Sequence, residues 1–175
     1  MVALCLPSSE AMTISNNNPH FSDLLRSPTL MLAFGFGSGL SPKAPGTVGT
    51  LAAVPIWLLI NPLSLWVYWL IVFVAFVLGI YLCGAAAKAL NTHDHGGIVW
   101  DEFVGFWIVM PFLPPHSWSI VWGFVLFRLF DILKPWPINW LDKKIHGGLG
   151  IMLDDVVAGI YAALVAVLIG YLGFF

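Results

Sequence analysis

The stretch LWVYWLIVFVAFVLGIYLCGAAA, residues 65–87, decides the class of fold to which this chain belongs. It holds 23 consecutive residues without a charged side chain, enough for an α-helix to cross the hydrocarbon core of a bilayer. Trp66, Tyr68 and Trp69 lie near its start, as expected of side chains at a membrane–water interface. Of all 175 residues, 59% are hydrophobic and 9% are charged, and the mean hydropathy is +0.91. We therefore expect an integral membrane protein.

Four further apolar segments accompany this span, separated by polar or turn-forming residues. They cover residues 47–60, 98–113, 117–133 and 151–175. The five segments predict an all-α, polytopic membrane helical bundle with about five membrane helices, two of them short. Residues 28–40, dotted with Gly35, Gly37 and Gly39, predict a broken or re-entrant segment before the first of these helices.

The chain is predicted to form one domain behind a short tail. Residues 1–26 begin apolar, then turn polar, and predict a mobile N-terminal tail, whereas residues 27–175 predict a single membrane-embedded domain. The net charge of −2 gives no reason to expect a nucleic acid partner.

Basic side chains beyond the tail fall on one side of the predicted bundle. Lys43 precedes the first helix, Lys88 follows the second, and segment 134–150 between the last two holds three lysines. The turns at Asn61 and Pro114 face the opposite side and carry no basic residue. Because basic loops stay in the cytoplasm, we expect the first three regions to be cytoplasmic.

Five of the nine carboxylates lie inside or at the ends of apolar segments. They are Asp101, Glu102, Asp131, Asp154 and Asp155. A charged side chain at membrane depth costs about 2.5 kcal/mol or more, so several together need a compensating cation or partner. Under the topology above, all five come to the cytoplasmic rim, and ligands that are all oxygen favour Mg²⁺ over Zn²⁺. The sequence therefore predicts a magnesium site with these carboxylates as candidate ligands.

The two acidic pairs, Asp101–Glu102 and Asp154–Asp155, are each followed one turn later by small residues. Gly105 follows the first pair, and Ala158 and Gly159 follow the second. Small residues let helices approach closely in lipid. We expect such an approach to bring the two acidic pairs within reach of one metal cluster.

Arg128, Asp131 and Lys134 follow one another at intervals of three, which predicts a shared helix face. A salt-bridged stripe with Lys134 reaching toward the interface is one interpretation. Because charges within a membrane are functional by default, catalytic and phosphate-binding roles for Arg128 and Lys134 are the other.

The segment SPKAPGT, residues 41–47, opens the first helix. A helix N-terminus can bind phosphate, so Lys43, Gly46 and Thr47 are candidate phosphate-binding residues. The spacing is not that of a nucleotide P-loop, and a plain proline–glycine loop with an anchoring lysine is the alternative. His146, close in sequence to Asp154, is a candidate for proton transfer.

Six motifs follow one another along most of residues 30–160. They are GFGSGLSP at 35–42, APGT at 44–47, IVWDE at 98–102, FR at 127–128 with Asp131, KPWP at 134–137, and HGGLGIM at 146–152 with Asp154 and Asp155. Together they resemble the bacterial phosphatidylglycerophosphatase A family. The resemblance implies a Mg²⁺-dependent, multi-pass enzyme of the bacterial inner membrane with its active site on the cytoplasmic side. Such an enzyme removes the terminal phosphate of phosphatidylglycerol phosphate, giving phosphatidylglycerol for phospholipid biosynthesis.

The residues and the resemblance lead to one catalytic hypothesis. The two acidic pairs hold one or two Mg²⁺, with Asp101 also catalytic, while Arg128 and Lys134 neutralise developing charge. Asp131 is either a further ligand or the residue that orients Arg128. The nucleophile is water or a carboxylate that forms an aspartyl-phosphate.

Two competing classes of function are a small ion-coupled membrane transporter and a lipid-binding membrane scaffold. Transport sites lie near the bilayer midplane, whereas these acids gather at one rim, and a scaffold would not need so many acids.

Overall fold

The structure is a computed structural model that describes residues 19–92, 95–116 and 118–173. Within these ranges the chain forms helices and no β-strand, so the all-α prediction is confirmed. The α-helices are α1 (Phe21–Arg26), α2 (Pro28–Ala33), α3 (Pro45–Ile60), α4 (Leu65–Ala89), α5 (Trp100–Val109), α6 (Trp118–Leu133), α7 (Ile138–Lys144) and α8 (Gly148–Tyr171). Short 3-10 helices cover Gly35–Leu40 and Met110–Phe112.

The five predicted apolar segments correspond to α3, α4, α5, α6 and α8. Two of them, α4 with 25 residues and α8 with 24, are long and apolar enough to cross a membrane. α3 and α6 have 16 residues each, fewer than the about 20 that a spanning helix needs. The described ranges therefore contain two candidate spans, and the predicted count of five membrane helices is not established.

Helix α5 is the centre of the core. It has ten residues, fewer than the predicted segment 98–113, and all ten are buried against the rest of the protein. Its tryptophans are fixed by backbone carbonyls, because Trp100 Nε1 donates to Ala75 O of α4 at 3.0 Å and Trp107 Nε1 donates to Ala53 O of α3 at 3.1 Å. The N-terminus of α5 therefore has a fixed position between α3 and α4.

Helices α5 and α8 approach each other closely at Gly105 and Gly159. A Cβ added to Gly159 would lie 2.6 Å from the carbonyl oxygen of Gly105, which leaves no space for a side chain. These glycines lie four residues after Asp101 and Asp155, so the contact brings the acidic starts of the two helices together. The close approach predicted from the small residues is confirmed.

The predicted break within residues 28–40 is also confirmed. α2 ends at Ala33, and Phe36 and Gly37 have left-handed backbone angles, with φ of 58° and 97°. A Cβ at Gly39 would collide with the carbonyl oxygen of Gly97, so the 3-10 helix packs directly on the backbone before α5.

Two segments predicted to lack structure are partly helical. Within the predicted tail, α1 covers Phe21–Arg26, and its Leu24 is fully buried. Residues 1–18 of that tail lie outside the described residues. Within the predicted loop 134–150, α7 covers Ile138–Lys144, and Ile138 is fully buried. Both helices are short, and burial of one apolar side chain holds each of them to the core.

Large apolar side chains cover the outer faces of α4 and α8. Trp66 is 89% exposed, Phe73 63% and Leu168 56%. Extended apolar surface is rare on soluble monomers and marks a partner or a membrane. This surface and the two long apolar helices are consistent with a membrane protein.

Candidate active site

Five carboxylates from three helices come together at one end of the bundle, and we call them the carboxylate cluster. They are Asp101 and Glu102 in the first turn of α5, Asp131 near the end of α6, and Asp154 and Asp155 in the second turn of α8. All except Asp131 are buried. The charge of Asp155 interacts with the charges of the other four. The structure thus brings together the five acids that the sequence analysis selected as candidate metal ligands.

Arg128 of α6 links two members of the cluster. Its Nη1 lies 3.1 Å from Oε2 of Glu102 and 2.6 Å from Oδ2 of Asp131. The contact with Asp131 is the i, i+3 ion pair of the salt-bridge interpretation, and the contact with Glu102 extends it to a second helix. One guanidinium group therefore fixes α5 relative to α6 at the cluster.

Lys134 reaches the cluster in a different way from the one predicted. α6 ends at Leu133, where the predicted segment also ends, and Lys134 has a left-handed backbone with φ of 40°. Of the three residues predicted to share a helix face, Arg128 and Asp131 do so, and Lys134 lies beyond the helix. The turn instead carries the amine toward α8, where Nζ lies 2.7 Å from Oδ2 of Asp154. Lys134 therefore forms an ion pair with an acid of α8.

Asp155 is the most deeply buried acid of the cluster, with 3% of its surface exposed. Its backbone N–H donates to Oδ1 of Asp154 at 3.1 Å. Its own Oδ2 is buried and accepts no hydrogen bond from the described residues. A buried carboxylate oxygen without a donor is costly, so this atom is suited to a ligand that the protein does not itself supply.

The loop before α3 is pressed against the cluster at Gly46. A Cβ there would collide with Oε1 of Glu102 and lie 2.9 Å from Nη1 of Arg128. The candidate phosphate-binding loop therefore contacts the charged residues at Gly46.

Thr50, one turn further along α3, is a member of the site that sequence reasoning missed. It is fully buried, and its hydroxyl lies 2.7 Å from Oε2 of Glu102 and 3.0 Å from the carbonyl oxygen of Gly46. In the sequence, Thr50 stood out only as a hydroxyl side chain four residues after Gly46 in a mostly apolar helix.

Three other predicted site residues are exposed or half-buried. Lys43 is exposed, and its side chain forms no ion pair within the described ranges. Thr47 is half-buried, and no side-chain hydrogen bond of Thr47 is seen in the part of the chain that the structure covers. His146 is exposed on the segment between α7 and α8.

The cluster fits a hard divalent cation by its charge and donor atoms. With all five carboxyl groups ionised, the cluster would have three more negative charges than the paired Arg128 and Lys134 offset. All donors are oxygens, as Mg²⁺ prefers, and Oδ2 of Asp155 is an available ligand atom. As the side chains stand, no three His, Cys, Asp or Glu groups among the described residues are arranged to hold an ion.

Comparison with known proteins decides the family. The family model described as Phosphatidylglycerophosphatase A matches residues 31–170, which include the carboxylate cluster, Arg128, Lys134 and Gly46. The chain belongs to this family. Members of the phosphatidylglycerophosphatase A family are named for phosphatase activity, and the chain is accordingly an enzyme, a phosphatase.

Individual relatives agree with this assignment. The phosphatidylglycerophosphatase A of Escherichia coli (strain K12) is 50% identical over 148 residues, which cover 84% of this chain and 86% of the relative. The protein of that name from Haemophilus influenzae is 46% identical over 160 residues, covering 90% and 98%. A Bacteroides thetaiotaomicron protein provisionally named as a phosphatidylinositol-3-phosphatase is 38% identical over 144 residues, covering 76% and 87%. No solved structure shows a significant match.

Proposed function

We propose that this phosphatase hydrolyses the terminal phosphomonoester of phosphatidylglycerol phosphate, releasing phosphatidylglycerol and inorganic phosphate in phospholipid biosynthesis. The observation that carries the proposal is the carboxylate cluster with its paired Arg128 and Lys134, in a chain half identical to a relative named for this activity. Enzymes that transfer phosphoryl groups act mainly by positioning the phosphate and neutralising its charge. The basic side chains of this site are suited to both tasks.

The proposed location is the bacterial inner membrane, with several helices crossing it and the carboxylate cluster on the cytoplasmic side. α4 and α8 are the candidate spans, and Lys88 near the end of α4 lines a cavity together with Gly147 and Gly148 at the start of α8. Both helix ends therefore lie on the side of the cluster. A lysine at these ends favours the cytoplasmic orientation, where the headgroup of a lipid in the inner leaflet is within reach.

Magnesium is the proposed cofactor, held by the two acidic pairs, with Asp131 either as a further ligand or as the residue that orients Arg128. When bound, Mg²⁺ supplies positive charge to phosphoryl oxygens and makes water a stronger acid. The excess of three negative charges and the unpartnered oxygen of Asp155 support this cation, because both are costly in a buried site.

The protein's own residues have separable proposed roles. Arg128 is held in place by Glu102 and Asp131, so its guanidinium is preorganised to offset charge on the phosphate. Lys134 adds a second positive charge beside Asp154. The loop at Gly46 brings the first N–H groups of α3 to the same place, and the first N–H groups of a helix lack partners within it.

Two nucleophiles are compatible with these roles. In one route water attacks phosphorus and the lipid alkoxide leaves with a proton. In the other, a carboxylate attacks phosphorus first, the lipid alkoxide leaves with a proton, and water then hydrolyses the resulting aspartyl-phosphate to the free carboxylate and inorganic phosphate. Rapid acid quenching of a reaction with substrate labelled by ³²P in the terminal phosphate separates them, because only the second route leaves label on the protein.

The function is tested by incubating the purified protein in detergent with phosphatidylglycerol phosphate and measuring released phosphate. We expect one phosphate per phosphatidylglycerol formed, loss of the activity in EDTA and recovery on adding Mg²⁺. Absence of phosphate release by folded, monodisperse protein would overturn the proposal. Ion flux in vesicles without hydrolysis would instead support the transporter, an alternative that the names of the relatives do not favour.

A further inference from the structure

We propose that a groove between α4, α5 and α8 binds one acyl chain of the phospholipid substrate while its phosphate lies at the carboxylate cluster. This inference rests on the proposed function and adds a site for the lipid part of the substrate. The groove consists of two apolar hollows of about 200 and 280 Å³ that share Trp69 and Ile108. The first is also lined by Val104 and Val156, and the second by Val167.

The groove begins beside the carboxylate cluster. Val156 directly follows Asp155 in α8. In α5, Val104 and Ile108 lie three and seven residues after Asp101, so they share its helix face. A lipid with its phosphate at the cluster would therefore have one chain at the entrance of the groove.

The length of the groove matches one leaflet of a bilayer. From Val156 to Val167 the α8 wall runs for eleven residues, about 16 Å at the rise of an α-helix. Half of the hydrocarbon core of a bilayer is about 15 Å thick. An acyl chain anchored at the headgroup layer would extend over this distance.

The size and lining of the groove favour a single lipid chain. Its two hollows are small and are lined by apolar side chains alone, which suits a slender ligand without polar groups. The wall is open to the outside, since Ile160 is 45% and Leu164 61% exposed. A lipid could therefore enter sideways from the membrane.

A pair of variants on α8 tests the groove. Ile160 lines it, whereas Leu168 is a similarly exposed aliphatic residue outside it. We expect Ile160→Trp to fill the groove and lower kcat/KM severalfold for dipalmitoyl phosphatidylglycerol phosphate, mainly through KM, with little change for the dihexanoyl substrate. Leu168→Trp should change neither. Equal losses on both substrates, or equal behaviour of the two variants, would overturn the inference.

Photolabelling gives a readout independent of hydrolysis. Phosphatidylglycerol phosphate carrying a diazirine in the middle of one acyl chain should label α5 and α8 at the groove, and unlabelled substrate should suppress the labelling. Ile160→Trp should abolish it, and Leu168→Trp should not. Labelling spread evenly over the exposed faces, or crosslinks between two copies through the groove, would contradict the proposal. If the wild type hydrolyses neither chain length, the proposed function fails, while the labelling still decides the groove.

Discussion

At Gly46, the loop before α3 packs so closely against the charged residues that no side chain fits there. A Cβ there would collide with Glu102 and crowd Arg128, so Gly46→Ala should displace their ion pair. We expect phosphate release to fall about tenfold or more, because small displacements at a reacting centre are costly. Gly96→Ala is the matched control, since the nearest atom to a Cβ there is Cγ of Pro45 at 4.0 Å. Equal activity of the two variants would show that the loop does not matter for catalysis.

Thr50 should act by positioning Glu102. Thr50→Val keeps the shape of the side chain but removes the hydroxyl 2.7 Å from Oε2 of Glu102. A hydrogen bond to a charged group contributes about 1.5–3 kcal/mol, so kcat should fall about tenfold or more with KM nearly unchanged. Thr50→Ser restores the hydroxyl and should restore kcat. A serine variant as slow as the valine variant would indicate a packing role instead.

At the scale of elements, the contact between α5 and α8 holds the two acidic pairs together. Gly159→Leu would force the helices apart, because even a Cβ at Gly159 would lie 2.6 Å from the backbone of Gly105. Overpacking of this kind costs about 1–3 kcal/mol, so both the Tm in detergent and phosphate release should fall. Gly170→Leu, on an exposed turn of the same helix, should lower neither. Normal activity of the Gly159→Leu protein would show that the site does not depend on the contact between α5 and α8.

The helices also differ in how well they could be predicted from the sequence. Helices α4 and α8 were predictable because their apolar runs are long, and the gathering of acids followed from the scarcity of charge elsewhere. α1 and α7 were not predictable, since each is short and depends on the burial of one side chain that only the tertiary fold provides. The partner of Lys134 was not predictable, because it depends on the left-handed backbone of Lys134 just after α6, which carries its amine toward α8.

In the molecule as a whole, the charged cluster and the exposed apolar surface lie in different places. The carboxylate cluster lies at one end of the bundle, and the outer faces of α4 and α8 carry exposed apolar side chains. The proposed active site thus lies at one rim of an apolar body, the arrangement that the proposed hydrolysis at a lipid headgroup requires. Sequence composition indicated the apolar body, and only the structure showed which basic residue pairs with which acid.

We propose that the buried carboxylates perform the chemistry. The decisive measurement is phosphate release from phosphatidylglycerol phosphate by Asp101→Asn and Asp154→Asn, at saturating Mg²⁺ and equal membrane-inserted protein. The control is Asp23→Asn, which alters an acid that caps α1 outside the cluster. We expect a loss of about 100-fold or more in both cluster variants and normal activity in the control. Activity near that of the wild type in Asp101→Asn or Asp154→Asn would contradict it.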